Sequence, residues 1–248
     1  MFKRKMNVVQ NMDKMNPADR KQTLKTALTD AAERAVAAHG LAGLKARSLA
    51  AEAGCALGAI YNVVDDLDDL ALAVNSRTLA ALETELAAQV GMEPGKMAGG
   101  AERAIGRLIA MAIAYLDFAA ANTMSWRALF EHRLPEGKPL PEWYLREQTR
   151  LFGYIEGPLR DLQPSLPQER LVMLARSLFS AVHGIIILGL EKKLGVVPLD
   201  VLRTQTSLVV SAIGMGLLAQ GERISTKAPS ADSKPARSIG RQSRRGKI

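Results

Sequence analysis

Seven residues in one short stretch have types and spacing suited to work on duplex DNA: Lys45, Arg47, Leu57, Gly58, Ala59, Tyr61 and Asn62. The two cations can meet phosphates or a base. Gly58 and Ala59 are small enough to let a backbone lie close to base edges, and Leu57 and Ala59 can touch thymine methyls. Tyr61 can hydrogen-bond a phosphate, and Asn62 a phosphate or a base edge. Two of them also have a plainer reading: Arg47 as a solvated charge, and Tyr61 as a packed ring with its hydroxyl in water. No catalytic constellation accompanies them. Glu131 beside His132 has no nucleophile or metal partner. His39, His132 and His183 lie far apart without ligand spacing, and Cys55, the one cysteine, excludes an internal disulfide and a cysteine-based zinc site. We therefore expect no enzyme, no metal and no cofactor.

The elements that must hold these residues can be read from periodicity and punctuation. Asn16-Pro17-Ala18-Asp19 is a helix start, with Asn as cap and Pro at the first helical position. Leu24, Ala27, Leu28, Ala31, Ala32, Ala35 and Val36 then recur at threes and fours, and Gly40 stops the helix after His39. A short helix is predicted over 46–53, stopped by Gly54, and a second over 57–63 that buries Ile60. Asp66 caps a longer helix that runs to about Val90, with Asp68 and Asp69 in its first turn. Two short helices joined by a glycine turn and buttressed on both sides describe a helix-turn-helix, whose second helix fits a major groove. A simple αα-corner is the alternative.

The stretch Ala46–Leu72 resembles the core of the DNA-binding domain of TetR/AcrR-type transcriptional regulators. The likeness is carried by Leu49-Ala50, Ala53-Gly54, Gly58, Ile60-Tyr61 and Leu70 and covers roughly 22–82. It implies a homodimer that binds a palindromic operator and releases it when a small molecule enters the C-terminal domain, more in the manner of a repressor. By the same resemblance Arg47, Leu57, Gly58, Ala59, Tyr61 and Asn62 are the DNA-facing positions, and Lys45 beside Arg47 joins them on its residue type alone. Val182-His183-Gly184 resembles a short motif of the ligand domain in one subgroup. Departures stand beside these matches. Ala56 replaces a capping Ser or Thr, Val63 a phosphate-touching His or Tyr, Val64 a Phe and Leu67 a Lys, and Cys55 stands where Val is usual. Asp65, Asp66, Asp68 and Asp69 add acids, which together weaken the expected grip on phosphate. The alternative function is thus a TetR-like fold that binds a lipid or other apolar small molecule, its DNA-reading surface decayed.

Beyond the glycine-rich connection at 91–100, helical patterns cover about 101–121, 124–132, 141–163, 167–193 and 198–220, with Pro158 expected to kink or split the third. No stretch alternates with period two, so the fold class is all-α: an N-terminal three-helix helix-turn-helix domain followed by a C-terminal helical bundle that dimerises. Tyr115, Phe118, Trp126, Phe130, Phe179 and His183 are candidates to line a ligand pocket, with ordinary core packing the competing role. Val209, Ala212, Ile213, Gly216 and Leu217 are candidates for a dimer face, where small residues let two helices approach.

The chain of 248 residues carries a net charge of +8, but 1–21 holds +4 of it and 222–248 holds +6, leaving −2 between them. The basic balance therefore belongs to the ends and says little about a partner. The expected divisions are a basic arm at 1–21, the DNA-binding domain at 22–82, the ligand-binding and dimerisation domain at 83–221, and a basic disordered tail at 222–248. No leader is read in the first residues. The uncharged stretches Ser177–Leu190 and Thr204–Gly221 are respectively too short and too polar for a lipid-facing span. The expected location is cytoplasmic, without membrane contact.

Overall fold

The computed structural model describes residues 16–90, 100–193 and 195–227. Among them the secondary structure is helical apart from an isolated bridge between Lys193 and Gly195. The basic arm up to residue 15, the connection at 91–99 and the tail from residue 228 lie outside the described residues.

Helix α1 (Pro17–His39) begins as its sequence dictates. The Asn16 side chain accepts the Asp19 backbone N–H at 2.9 Å and Pro17 fills the first position, where no N–H is needed. Its buried face is Leu28, Ala31, Ala32 and Val36. A 3-10 turn (Gly40–Gly43) then brings the chain back so closely that a Cβ on Gly43 would sit 2.5 Å from the Ala35 carbonyl oxygen. Helix α2 (Ala46–Ala53) ends at Gly54, whose φ of +72° only glycine adopts without strain. Helix α3 (Leu57–Ile60) is shorter than the predicted 57–63. Beyond Ile60 the chain turns so that Val63 and Val64 drop into the core, and that burial outweighs another half-turn of helix.

Helix α4 (Leu67–Val90) carries a reciprocal cap: Asp66 accepts the Asp69 N–H at 3.0 Å, and Asp69 accepts the Asp65 N–H at 2.9 Å. Leu28, Val36, Leu49, Ile60, Val64, Leu70 and Val74 close the small core of this unit. One wall comes from far along the chain, from Ala128.

The larger unit is a bundle of α5 (Gly100–Ala121), α6 (Thr123–Glu131), α7 (Glu142–Leu162), α8 (Gln168–Leu190) and α9 (Leu199–Lys227), with the far half of α4 packed into it. Its core centres on Leu108, Tyr115, Leu116, Trp126, Leu159, Leu171 and Ile186. Helix α7 continues through Pro158 without splitting. Helix α9 runs past the expected end at 220, so its backbone takes in the first residues of the expected tail. It lies tight against α5: a Cβ on Gly214 would sit 2.8 Å from Ile105, and Arg203 pairs with Asp117 at 2.8 Å.

Three helices, Gly100–Ala121, Gln168–Leu190 and Leu199–Gly221, are long and apolar enough by length and composition to cross a membrane. The first earns its apolarity as the central helix of the bundle, with half of its most apolar window buried. The other two are less covered, 28% and 22%, because each turns an apolar face outward.

Candidate functional site

The helix-turn-helix presents its predicted residues outward. Lys45, Arg47, Gly58 and Asn62 are exposed, Leu57 is 43% and Tyr61 54% exposed, and Ala59 is half-buried beside them. Leu49, Ala50 and Ile60 hold the opposite face in the core, so α2 and α3 are clamped from below and bare above. Two exposed large side chains, Leu57 on this short helix and Tyr61 just past its end, cost solvation and gain nothing within the chain. Tyr61 is therefore not the packed ring of the plainer reading. Cys55 is half-buried against this core, and burial pushes its thiol pKa up, away from reactivity.

The acids counted against DNA binding have a different job. Lys138 reaches Asp66 at 2.6 Å and Asp69 at 3.9 Å, and the Nε2 of His132 lies 2.9 Å from Asp68. The Lys138 ammonium, first by its hydrogen bond, holds the Asp66 carboxyl below the usual aspartate range. Three acids of the α4 start are thus turned to the segment after α6, and part of their charge is neutralised there. His132 and Lys138 carried no motif in the sequence, since their partners are more than sixty positions away. Glu131, their neighbour, is paired with Arg127 at 2.5 Å along the surface of α6.

A cavity of about 220 Å³ opens between α4, α5, α6, α7 and α8, with Val210 of α9 at its edge. Leu79, Leu82 and Leu86 come from α4, Leu108, Met111, Ala112 and Tyr115 from α5, and Leu129 and Phe130 from α6. Helix α7 adds Tyr144, Gln148, Leu151, Phe152 and Ile155, and α8 adds Leu178, Phe179 and Val182. Of the six aromatic candidates, Tyr115, Phe130 and Phe179 are on this wall. Trp126 and His183 stand behind them: the indole Nε1–H donates to the Tyr115 hydroxyl oxygen at 2.9 Å, and that oxygen lies 2.8 Å from His183 Nδ1. The His183 ring sits 4.2 Å from that of Phe130, centre to centre, and burial holds its pKa below the ordinary histidine value. Phe118 is buried in the bundle core away from the lining. The sequence reading missed Tyr144 and Gln148, which sit on a polar-looking helix; Tyr144 is buried there, and burial first of all pushes its hydroxyl pKa up.

Helix α6 joins the two regions. Ala128 is buried in the small core and its carbonyl accepts from Asn75 Nδ2 at 3.3 Å, while the next residues, Leu129 and Phe130, face the cavity. A third surface lies on α8 and α9, where Met173, Leu188, Val201, Leu208 and Met215 are 60%, 42%, 41%, 61% and 63% exposed. Of the predicted dimer residues, Ala212 and Gly216 are exposed with them and Val209 is half-buried. Ile213 and Leu217 instead pack partly on the core of their own chain. The helix is apolar on both sides, so spacing alone does not separate its inward from its outward stripe.

Residues 108–212 match the protein family described as "Tetracyclin repressor-like, C-terminal domain". Solved structures share the fold. A protein of unknown function from Rhodococcus sp. RHA1 is 23% identical with TM-score 0.60, over 76% of this chain and 94% of that one. The transcriptional regulator SCO7222, a TetR from Streptomyces coelicolor, is 16% identical with TM-score 0.54, over 78% and 96%. A putative transcriptional regulator from Pseudomonas aeruginosa PAO1 is 21% identical with TM-score 0.53, over 86% and 97%. No curated protein sequence matches the chain.

Proposed function

We propose that this chain, which has the TetR fold and a tetracycline-repressor-like C-terminal domain, is a dimeric DNA-binding transcriptional regulator whose operator affinity is set by a small molecule in the apolar cavity. The observation that carries the reading is the exposed face of α2 and α3. Leu57 and Tyr61 stand in solvent beside Arg47, on a unit whose other large apolar side chains, among the described residues, have found at least partial cover. A major groove supplies what that face lacks: phosphates for Lys45, Arg47 and Tyr61, and methyl groups for Leu57 and Ala59.

The outward stripe of α8 and α9 supports a second copy. Apolar and small residues alternate there at helical spacing, and two helices from each protomer would make a four-helix interface. A twofold pair sets two α3 helices about one DNA turn apart, which implies a palindromic operator.

Helix α6 and the far half of α4 supply the coupling. A ligand between Leu82, Leu86 and Phe130 pushes on the two helices that also wall the DNA-facing unit, through Ala128 and through Leu70 and Val74. The spacing of the recognition helices is then ligand-dependent, and release on ligand binding, as by a repressor, follows if the empty form fits the operator.

Electrophoretic mobility shift on DNA upstream of its own coding region tests the reading, with Arg47→Ala beside the wild type. Binding that is lost or weakened in Arg47→Ala supports it, and binding unaltered by that change and flat in salt overturns it in favour of a small-molecule binder with a decayed DNA surface.

A further inference from the structure

The cavity wall contains no charged side chain among the described residues. Aliphatic and aromatic groups make almost all of it, and its polar groups are the hydroxyls of Tyr115 and Tyr144 and the Gln148 amide. One of the three already serves its neighbours: the Tyr115 oxygen takes the Trp126 N–H and meets His183. Tyr144 and Gln148, one turn apart on α7, are left to meet a polar group of a ligand. Two carboxylates lie near the wall without lining it: Glu83 pairs with Arg150 at 2.5 Å, and Glu147 accepts from Ser76 at 2.9 Å through one oxygen while its other oxygen is buried without a hydrogen-bond partner.

Size narrows the class further. An apolar protein cavity of about 150 Å³ takes one benzene, and this one is about 220 Å³. Scaled the same way, it takes on the order of nine or ten heavy atoms.

We propose that the cavity selects an uncharged, compact, largely apolar molecule of about that size, with one neutral hydroxyl or amide donor seated at the Tyr144–Gln148 end. An ion of the same shape would leave water for a wall that offers it no countercharge. The cavity thus discriminates by charge before it discriminates by shape. This rests on the cavity being the effector site of the preceding section.

Isothermal titration calorimetry of the full chain without DNA tests it, using one para-substituted benzene ring in three charge states at neutral pH and matched size: 4-ethylphenol, 4-methylbenzoate and 4-methylbenzylammonium, with 4-ethyltoluene as the reference. The expected result is 4-ethylphenol binding at least about tenfold tighter than either ion, and tighter than 4-ethyltoluene. Gln148→Leu should bring ethylphenol down to ethyltoluene while leaving ethyltoluene unchanged, and Gln148→Met should repeat this should the first variant fold poorly. Either ion binding as tightly as ethylphenol, no ethylphenol binding, or an ethylphenol preference untouched in both variants overturns the proposal. Ethylphenol binding that leaves operator affinity unaltered would instead sink the regulatory reading and keep the ligand class.

Discussion

The Tyr115 hydroxyl and His183 Nδ1 meet at 2.8 Å beneath the Trp126 indole, which donates to the same oxygen. Burial disfavours the charged form of His183, and the neutral ring can accept the Tyr115 O–H at Nδ1 while Tyr115 accepts from Trp126. Three residues from three helices are tied at one atom. Tyr115→Phe removes that atom and leaves a buried indole N–H without its acceptor. We expect a loss of about 1–3 kcal/mol in urea unfolding, with a shifted Trp126 emission.

The same relationship gives a pH dependence. His183 has a folded pKa below its ordinary 6.5. As pH falls through 6.5 the unfolded chain takes up a proton that the folded chain refuses, so stability declines until the lower folded value is passed. Unfolding midpoints measured from pH 7.5 to 5 should fall more steeply in wild type than in His183→Asn. Equal slopes would show that another group titrates there.

Arg47 stands in solvent on α2 with no resolved tie to the chain's interior. Arg47→Ala should leave stability within about 0.5 kcal/mol and flatten the salt dependence of operator binding by about one unit in the log–log slope. Filter binding across a salt series, with a urea melt of the same preparation, separates the two.

At the junction, Lys138 and Asp66 form an ion pair at 2.6 Å that fixes the segment after α6 to the start of α4. Asp66 has a lowered pKa, so its pairing contributes fully above the ordinary aspartate value of 3.8 and is lost as pH falls through the folded one. Lys138→Ala should reduce that acid-side loss, leaving the part due to the Asp69 backbone N–H, and raise hydrogen exchange at the α4 start. Both charges are largely solvated, so the change in overall stability is small.

The outward stripe of α8 and α9 predicts assembly. Wild-type chain should sediment as a dimer at micromolar concentration, and Leu208→Glu with Met215→Glu as a monomer that keeps its helical circular dichroism. A monomeric wild type would leave those two exposed side chains unexplained.

Most of the architecture was legible because its punctuation is local. Asn16, Gly40, Gly54 and Asp66 each act within four residues of where they stand, and each marks the boundary its chemistry dictates. The outward side of α2 and α3 was legible too, since Leu49, Ala50 and Ile60 left only one face free. What escaped depends on distance in the chain. Asp66 reads as a liability until Lys138, seventy-two positions on, is beside it. Tyr144 and Gln148 lie on a helix whose charged residues conceal its inner stripe. On α9, Leu208 and Ile213 are alike in type, and only the neighbour α5 decides that Ile213 turns in and Leu208 out.

Ala128 has a consequence for any attempt to treat the first ninety residues as a portable part. Its methyl plugs the floor of a compartment built otherwise from α1 to α4, and it is delivered by a helix that belongs to the bundle. A fragment ending at Val90 would expose that floor to water, and a chimera joined there to a foreign bundle would inherit a hole that only a matching small residue, at the matching height, can fill. The seam at which this protein can be recombined therefore follows α6, not the 91–99 stretch of sequence between α4 and α5.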